Sequence, residues 1–111
     1  MYTRSVATTT LAEETFAAIS SRLLREPDVD AGKVFASPGL RVSGKIFAML
    51  SRGSLVVKLP AERCAELVAA GARPFESGGR RMREWVTIAE ERHADWPALA
   101  VEALGFVRAS A

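Results

Sequence analysis

The sequence is short of the residues that build metal and covalent chemistry. Cys64 is the only cysteine and His93 the only histidine among 111 residues. A single thiol excludes an intrachain disulfide and a cysteine-based metal cluster, and a single imidazole leaves a conventional structural zinc site without its ligands. Long apolar runs are missing as well. None approaches the roughly 20 residues that span a bilayer, and Met1–Ala7 has no extended apolar core of the kind that marks a secretion signal. The expectations are a cytoplasmic protein and no membrane contact. A large charge of either sign is also absent, since 15 Lys and Arg face 13 Asp and Glu for a net +2. Nucleic-acid binding would then require the basic residues to gather on one face.

Catalytic signatures are equally sparse. No nucleophile elbow precedes a helix, and Ser77-Gly78-Gly79-Arg80 lacks both the strand-to-helix context and the lysine of a phosphate-binding loop. With His93 as the sole imidazole, no Ser-His-Asp arrangement can be argued. These absences lead to the expectation of a non-enzymatic protein that needs no cofactor and no metal.

What is present suffices for one core. Hydrophobic residues make up 49% and charged residues 25% of the chain, ordinary values for a globular domain of a length that can fold without disulfides or metal. Residues 1–9 are polar and Thr-rich and read as a tail, leaving 10–111 as a single domain. Thr10 and Glu13 stand at capping-box spacing. Ala12, Phe16, Ile19 and Leu23 then recur at helical intervals until Pro27, which predicts a helix over about 10–25.

After a loop at Asp28–Gly32, Val34-Phe35-Ala36 and Leu40-Arg41-Val42 read as short strands around a Ser37-Pro38-Gly39 turn. Ser43-Gly44 and Arg52-Gly53 are hairpin signals that set off Lys45–Ser51 and Ser54–Leu59 as strands. In Ser54–Leu59, Leu55, Val57 and Leu59 alternate with Ser54, Val56 and Lys58, so one strongly apolar face is expected.

Pro60 suits the start of a second helix at about 61–70, with Ala61, Cys64, Leu67 and Val68 on its inner face and Gly71 at its end. Phe75 and Met82–Ile88 form a last strand pair through Ser77–Arg80. Asp95 is a candidate N-cap for a third helix at about 95–108, whose apolar face runs from Trp96 to Val107, with Glu90–His93 as an extra turn before it. The whole pattern predicts a two-layer α+β fold: a bent antiparallel sheet of five to six strands carrying N-terminal, middle and C-terminal helices.

Among surface candidates, the stretch Gly78–Trp85 is the sharpest. Arg80, Arg81 and Arg83 beside a Gly-Gly tip, with Arg73 nearby, would clamp phosphates while Trp85 stacks on a base. The competing reading is a solvated tip, or a partner-binding surface on which arginine stems lie along the indole. Strict alternation would put Arg81, Arg83 and Trp85 on one face and Met82, Glu84 and Val86 on the other. A protein partner or a homodimer is the favoured occupant, and nucleic acid the alternative. Lys45 and Lys58 would flank a groove only if their strands bring them together. Cys64 reads as a small core residue rather than a reactive thiol, and the Glu90–Asp95 run around His93 as a charged surface rather than a metal site.

Leu40-Arg41-Val42-Ser43-Gly44-Lys45-Ile46-Phe47-Ala48, preceded by Phe35, resembles the N-terminal domain of the TfoX/Sxy family. The resemblance continues through Leu55-Val56-Val57-Lys58-Leu59, Ala69-Ala70-Gly71, Pro74-Phe75 and Arg83-Glu84-Trp85-Val86, and spans roughly residues 11–108. It implies a bent antiparallel sheet with helices packed on it and a regulatory or interaction role. Named members are linked to bacterial competence and usually add a C-terminal helical domain. A second resemblance, to MmcQ/YjbR-like proteins, rests on Val57-Lys58-Leu59-Pro60 and Glu84-Trp85-Val86 and implies DNA binding.

Overall fold

Thr10 caps the first helix as its spacing predicts. Its hydroxyl accepts from Glu13 N at 3.0 Å while the Glu13 carboxylate accepts from Thr10 N at 2.8 Å, so two exposed donors are satisfied reciprocally. A further donor, Ala12 N, is satisfied by Glu90 Oε2 at 2.9 Å across 78 residues of chain. Helix α1 (Leu11–Leu23) buries Ala12, Phe16, Ile19 and Leu23, the stripe read from the sequence. The structure, a computed structural model, describes residues 9–34 and 37–110.

Six strands follow: β1 (Val29–Val34), β2 (Ser37–Val42), β3 (Lys45–Ser51), β4 (Ser54–Lys58), β5 (Arg73–Ser77) and β6 (Arg80–Ile88). Helix α2 (Ala61–Ala69) lies between β4 and β5, and α3 (Trp96–Ser110) closes the chain after a 3-10 turn at Glu90–Asp95. The strands form one antiparallel sheet in the order β1-β2-β3-β4-β6-β5. After β4 the chain therefore passes through α2 to the far edge before β6 returns beside β4. The α+β class and the antiparallel sheet with three helices stand as expected.

Local chemistry explains the tight turns. The central pairs Ser43-Gly44, Arg52-Gly53 and Gly78-Gly79 all have positive φ, the backbone combination whose twist matches two right-twisted antiparallel strands. Ser43 and Arg52 tolerate the left-handed region there at φ 51° and 52° because their glycine neighbours take the more extreme positions.

Three expectations need correction. Asp28–Gly32 is not all loop, because Val29 to Gly32 belong to β1, and Ser37-Pro38-Gly39 is not a turn but the start of β2. Pairing overrides the polar composition: Asp30 receives both Arg41 Nε at 3.0 Å and Arg41 Nη2 at 2.7 Å from the adjacent strand. Gly32 makes room for that arginine, since a Cβ there would lie 3.1 Å from Arg41 Nε. Pro38 is tolerated because β3 pairing begins only at Gly39, so its missing N–H is not needed on that side. The Phe35-Ala36 part of the expected strand lies outside the described residues. Asp95, expected to cap the third helix, instead sits within the 3-10 turn and accepts from Arg92 Nη2 at 3.4 Å.

The core lies between the sheet and the helices. Leu40, Val42, Phe47, Leu55, Val57, Leu59, Val86 and Ile88 meet Trp96 and its neighbours on α3, the α1 stripe, and Cys64 and Leu67 of α2. β4 is more buried than one apolar face requires, because Ser54 and Val56 are buried as well as Leu55 and Val57. Polar ties fix the helices over this core. Arg63 of α2 donates to Glu102 of α3 at 2.8 Å, Arg92 donates to the carbonyl of Ala70 just beyond α2 at 3.2 Å, and Arg108 of α3 holds Asp28 and Glu26 at 2.7 and 3.0 Å.

The Arg108 contact makes a pH prediction. Its hydrogen bonds hold the Asp28 carboxyl below the usual carboxylate range. A carboxyl depressed in the folded state stabilises fully above its unfolded value near 3.9, and that contribution disappears as the pH falls through the lowered folded value. Arg108→Met should therefore lower Tm at pH 7, by an amount that shrinks as melts are repeated down to pH 3. A Tm difference independent of pH would show that the contact is only steric.

A candidate partner-binding cleft between helix and hairpin

Strand β6 is not regular. Pro74 of β5 pairs with Val86, yet the next residue, Phe75, pairs with Met82. Arg83, Glu84 and Trp85 are left without partners on β5, and the last two turn to the β4 side instead: Lys58 pairs with Trp85 and Leu59 N donates to the Glu84 carbonyl at 3.0 Å. Such a bulge breaks the two-residue alternation and bends the strand.

The consequence is a cleft of about 620 Å³ between α2 and the β5–β6 hairpin. Its helical wall is Ala61, Glu62, Cys64, Ala65 and Val68, and Pro74, Arg80, Arg81, Met82, Arg83 and Trp85 complete it. Arg81, Met82, Arg83 and Trp85, which strict alternation would divide between two faces, all line this hollow. Trp85 is half-buried and the arginines are exposed. Lys58 Nζ stands 5.8 Å from the centre of the indole ring and the Phe75 ring 6.2 Å away at a tilt of 51°. Lys58 also approaches Glu84 at 4.0 Å. None of the ion pairs among the described residues uses Arg80, Arg81 or Arg83.

Arg73 does not join this group. It lines a second hollow with Ser54, Val56, Phe75 and Thr87, where Nη2 reaches Ser54 Oγ at 3.5 Å. Lys45 and Lys58 do line one hollow, of about 290 Å³, together with Glu84 and Phe106. His93 is half-buried, and among the described residues no group of three or more His, Cys, Asp or Glu is placed to hold a metal ion.

Residues 21–104 match the TfoX N-terminal domain. The chain belongs to that family. The match is narrower than the span of 11–108 read from the sequence, but it contains every residue of the cleft. No curated protein matches the chain. No helix among the described residues of this TfoX N-terminal domain is long and apolar enough to cross a membrane.

Sequence reasoning missed the helical half of the cleft. Ala61, Ala65 and Val68 recur at i, i+4 and i+7 on α2, a stripe adjacent to the buried Cys64 and Leu67. The helical spacing puts Ala61 on the inner face, but it is exposed and lines the cleft. The spacing was visible; that it faced a hollow rather than solvent was not. Cys64 itself is packed, with 4% of its surface accessible, and its Sγ donates to the Leu59 carbonyl at 3.6 Å. Burial pushes the thiol pKa up, and Glu84 and Glu102 push it the same way. Iodoacetamide at pH 8 should therefore alkylate native protein at least about tenfold more slowly than urea-unfolded protein, because the thiolate is the nucleophile. Equal rates, followed by mass spectrometry, would place the thiol in solvent.

Proposed function

We propose that this TfoX N-terminal domain is a non-enzymatic regulatory or interaction module that receives a protein partner in the cleft between α2 and the β5–β6 hairpin. The observation that carries this reading is the juxtaposition of an apolar floor, formed by Ala61, Ala65, Val68, Met82 and Trp85, with exposed arginines that have no ion-pair partner among the described residues. Partner sites combine such a desolvatable centre with a charged rim, and aromatic residues, Met and Arg are enriched in them. The titratable groups of the cleft are Glu62, Cys64 and the arginines, and the buried thiol, with its raised pKa, is poorly suited to act as a nucleophile.

The second reading, nucleic-acid binding, draws on the same three arginines. The apolar floor speaks against it, because phosphate and sugar oxygens need donors that alanine, valine and methionine lack.

Site-specific photo-crosslinking tests the proposal. A benzoylphenylalanine in place of Ala65 should give a discrete protein adduct in extract of the source cells, whereas the same residue in place of Ala17 on α1 should not. The adduct should vanish with Met82→Glu. Labelling of equal pattern from both positions, or persistence in the Met82→Glu variant, would overturn the cleft as the site. An adduct with a second copy of the chain would make the partner a homodimer within the same reading.

A further inference from the structure

We infer that the cleft recognises a short acidic segment of a partner protein that presents one apolar anchor residue, an inference that rests on the function proposed above and adds the chemistry of the ligand. The geometry divides the cleft into two parts. The floor, between Ala65 and Val68 of α2 and Met82 of β6, carries side chains without a hydrogen-bond donor and suits an aliphatic or aromatic side chain. The rim carries Arg80, Arg81 and Arg83 on exposed positions around Met82, the first two paired with β5 and the third where β6 leaves it. A guanidinium has five donors in a planar fork that matches a carboxylate. Elsewhere in the molecule the exposed arginines of Arg41, Arg63 and Arg108 already hold carboxylates at 2.7 to 2.8 Å. The three cleft arginines have no such partner among the described residues, so their donors are available to one from outside.

The same details argue against a polyanion. Trp85 is engaged by Lys58 at 5.8 Å and flanked by Phe75 at 6.2 Å, so the ring is not an open platform for a base. Glu62 in the cleft wall and Glu84 beside Trp85 put negative charge next to the rim. An extended phosphate backbone would meet those carboxylates, whereas a segment with two or three acidic residues around a Leu or Phe can match the arginines alone.

The test uses the purified chain and fluorescein-labelled 12-residue peptides read by anisotropy. One peptide carries Glu and Asp around a central Leu-Phe pair. A second has Ser in place of every acid, a third keeps the acids but has Ser in place of Leu and Phe, and a single-stranded 12-nucleotide DNA is the fourth probe. Wild type should bind the first at least tenfold more tightly than any other, with affinity falling between 50 and 300 mM salt. Replacing Arg80, Arg81 and Arg83 together by Ser should weaken that binding at least tenfold, and Arg22→Ser with Arg25→Ser, which removes two exposed charges at and just beyond the end of α1, should change it less than twofold. If the triple variant melts early, Arg81→Ser and Arg83→Ser singly take its place, each expected to weaken binding at least threefold. The inference is overturned if the first peptide does not bind, if the Ser-for-acid peptide binds as well, if the α1 variant loses as much as the cleft variant, or if DNA is the preferred probe. Any of these with the Ala65 crosslink intact removes the acidic ligand and leaves the cleft as a partner site; loss of the crosslink removes both.

Discussion

Trp96→Ala should destabilise the domain by about 3–5 kcal/mol, the range for deleting a large buried aromatic side chain. Trp96 is the largest fully buried side chain, with 0% of its surface accessible. It stands where the 3-10 turn enters α3, and its Nε1 donates to the Ala89 carbonyl at 3.2 Å. Truncation would thus open a cavity under the start of α3 and remove one of the two donors to the Ala89 carbonyl, leaving Arg92 N at 3.0 Å. A domain of this length has a total stability on the order of 5–15 kcal/mol, so the variant should be marginal. Trp96→Phe keeps most of the ring without the donor and should cost about 1–3 kcal/mol. Urea unfolding followed by far-ultraviolet circular dichroism measures both. A midpoint for Trp96→Ala within error of wild type would mean that α3 does not depend on this anchor.

Val57→Asp should abolish the cooperative fold at neutral pH. Val57 is fully buried in β4, paired with Ala48 on one side and Val86 on the other, and no described cation lies among those partners. An uncompensated buried charge costs about 3–5 kcal/mol or more, and the carboxyl responds by raising its pKa. The sign follows from that rise. Below the unfolded value near 3.9 the acid is neutral in both states, and the penalty is only that of a buried polar group. Between that value and the raised folded one, each pH unit costs about 1.4 kcal/mol. Val57→Asn supplies a nearly isosteric reference that does not titrate. The urea midpoints of the two variants should coincide near pH 4 and move apart as the pH rises, until Val57→Asp loses its cooperative transition by pH 7 while Val57→Asn keeps one. A constant separation would show that the carboxylate reaches solvent and that β4 is less enclosed than described.

How much of this was legible beforehand depended on how local each cause was. The capping box of Thr10 and Glu13, the α1 stripe and the Ser43-Gly44, Arg52-Gly53 and Gly78-Gly79 turns are set by neighbours within four residues, and they formed where the sequence placed them. Strand β1 was not legible, because Asp30-Ala31-Gly32 has poor intrinsic strand character and is held by pairing with β2 and by Arg41. The candidate site divided in the same way. The identities of Arg80, Arg81, Arg83 and Trp85 were evident as a basic hairpin with an aromatic residue. Their orientation was not, since alternation holds only while a strand stays in register. Arg73 adjoined the group in sequence and fell on another hollow in space.

The sequence alone determined that this is a single-cysteine, nearly charge-neutral chain whose periodicities and turns specify helices on an antiparallel sheet, and its motif order pointed to the TfoX N-terminal family. These are consequences of short-range sterics, capping and hydrophobic spacing, which act wherever the residues occur. Only the tertiary structure decided that β6 would leave β5 at Arg83 and that Glu84 and Trp85 would turn to the β4 side. That choice brings Met82 and the arginines around it opposite Ala61, Ala65 and Val68 of α2. A strand that must pair with two neighbours in different registers can satisfy both only by bulging, and no window of sequence contains both neighbours.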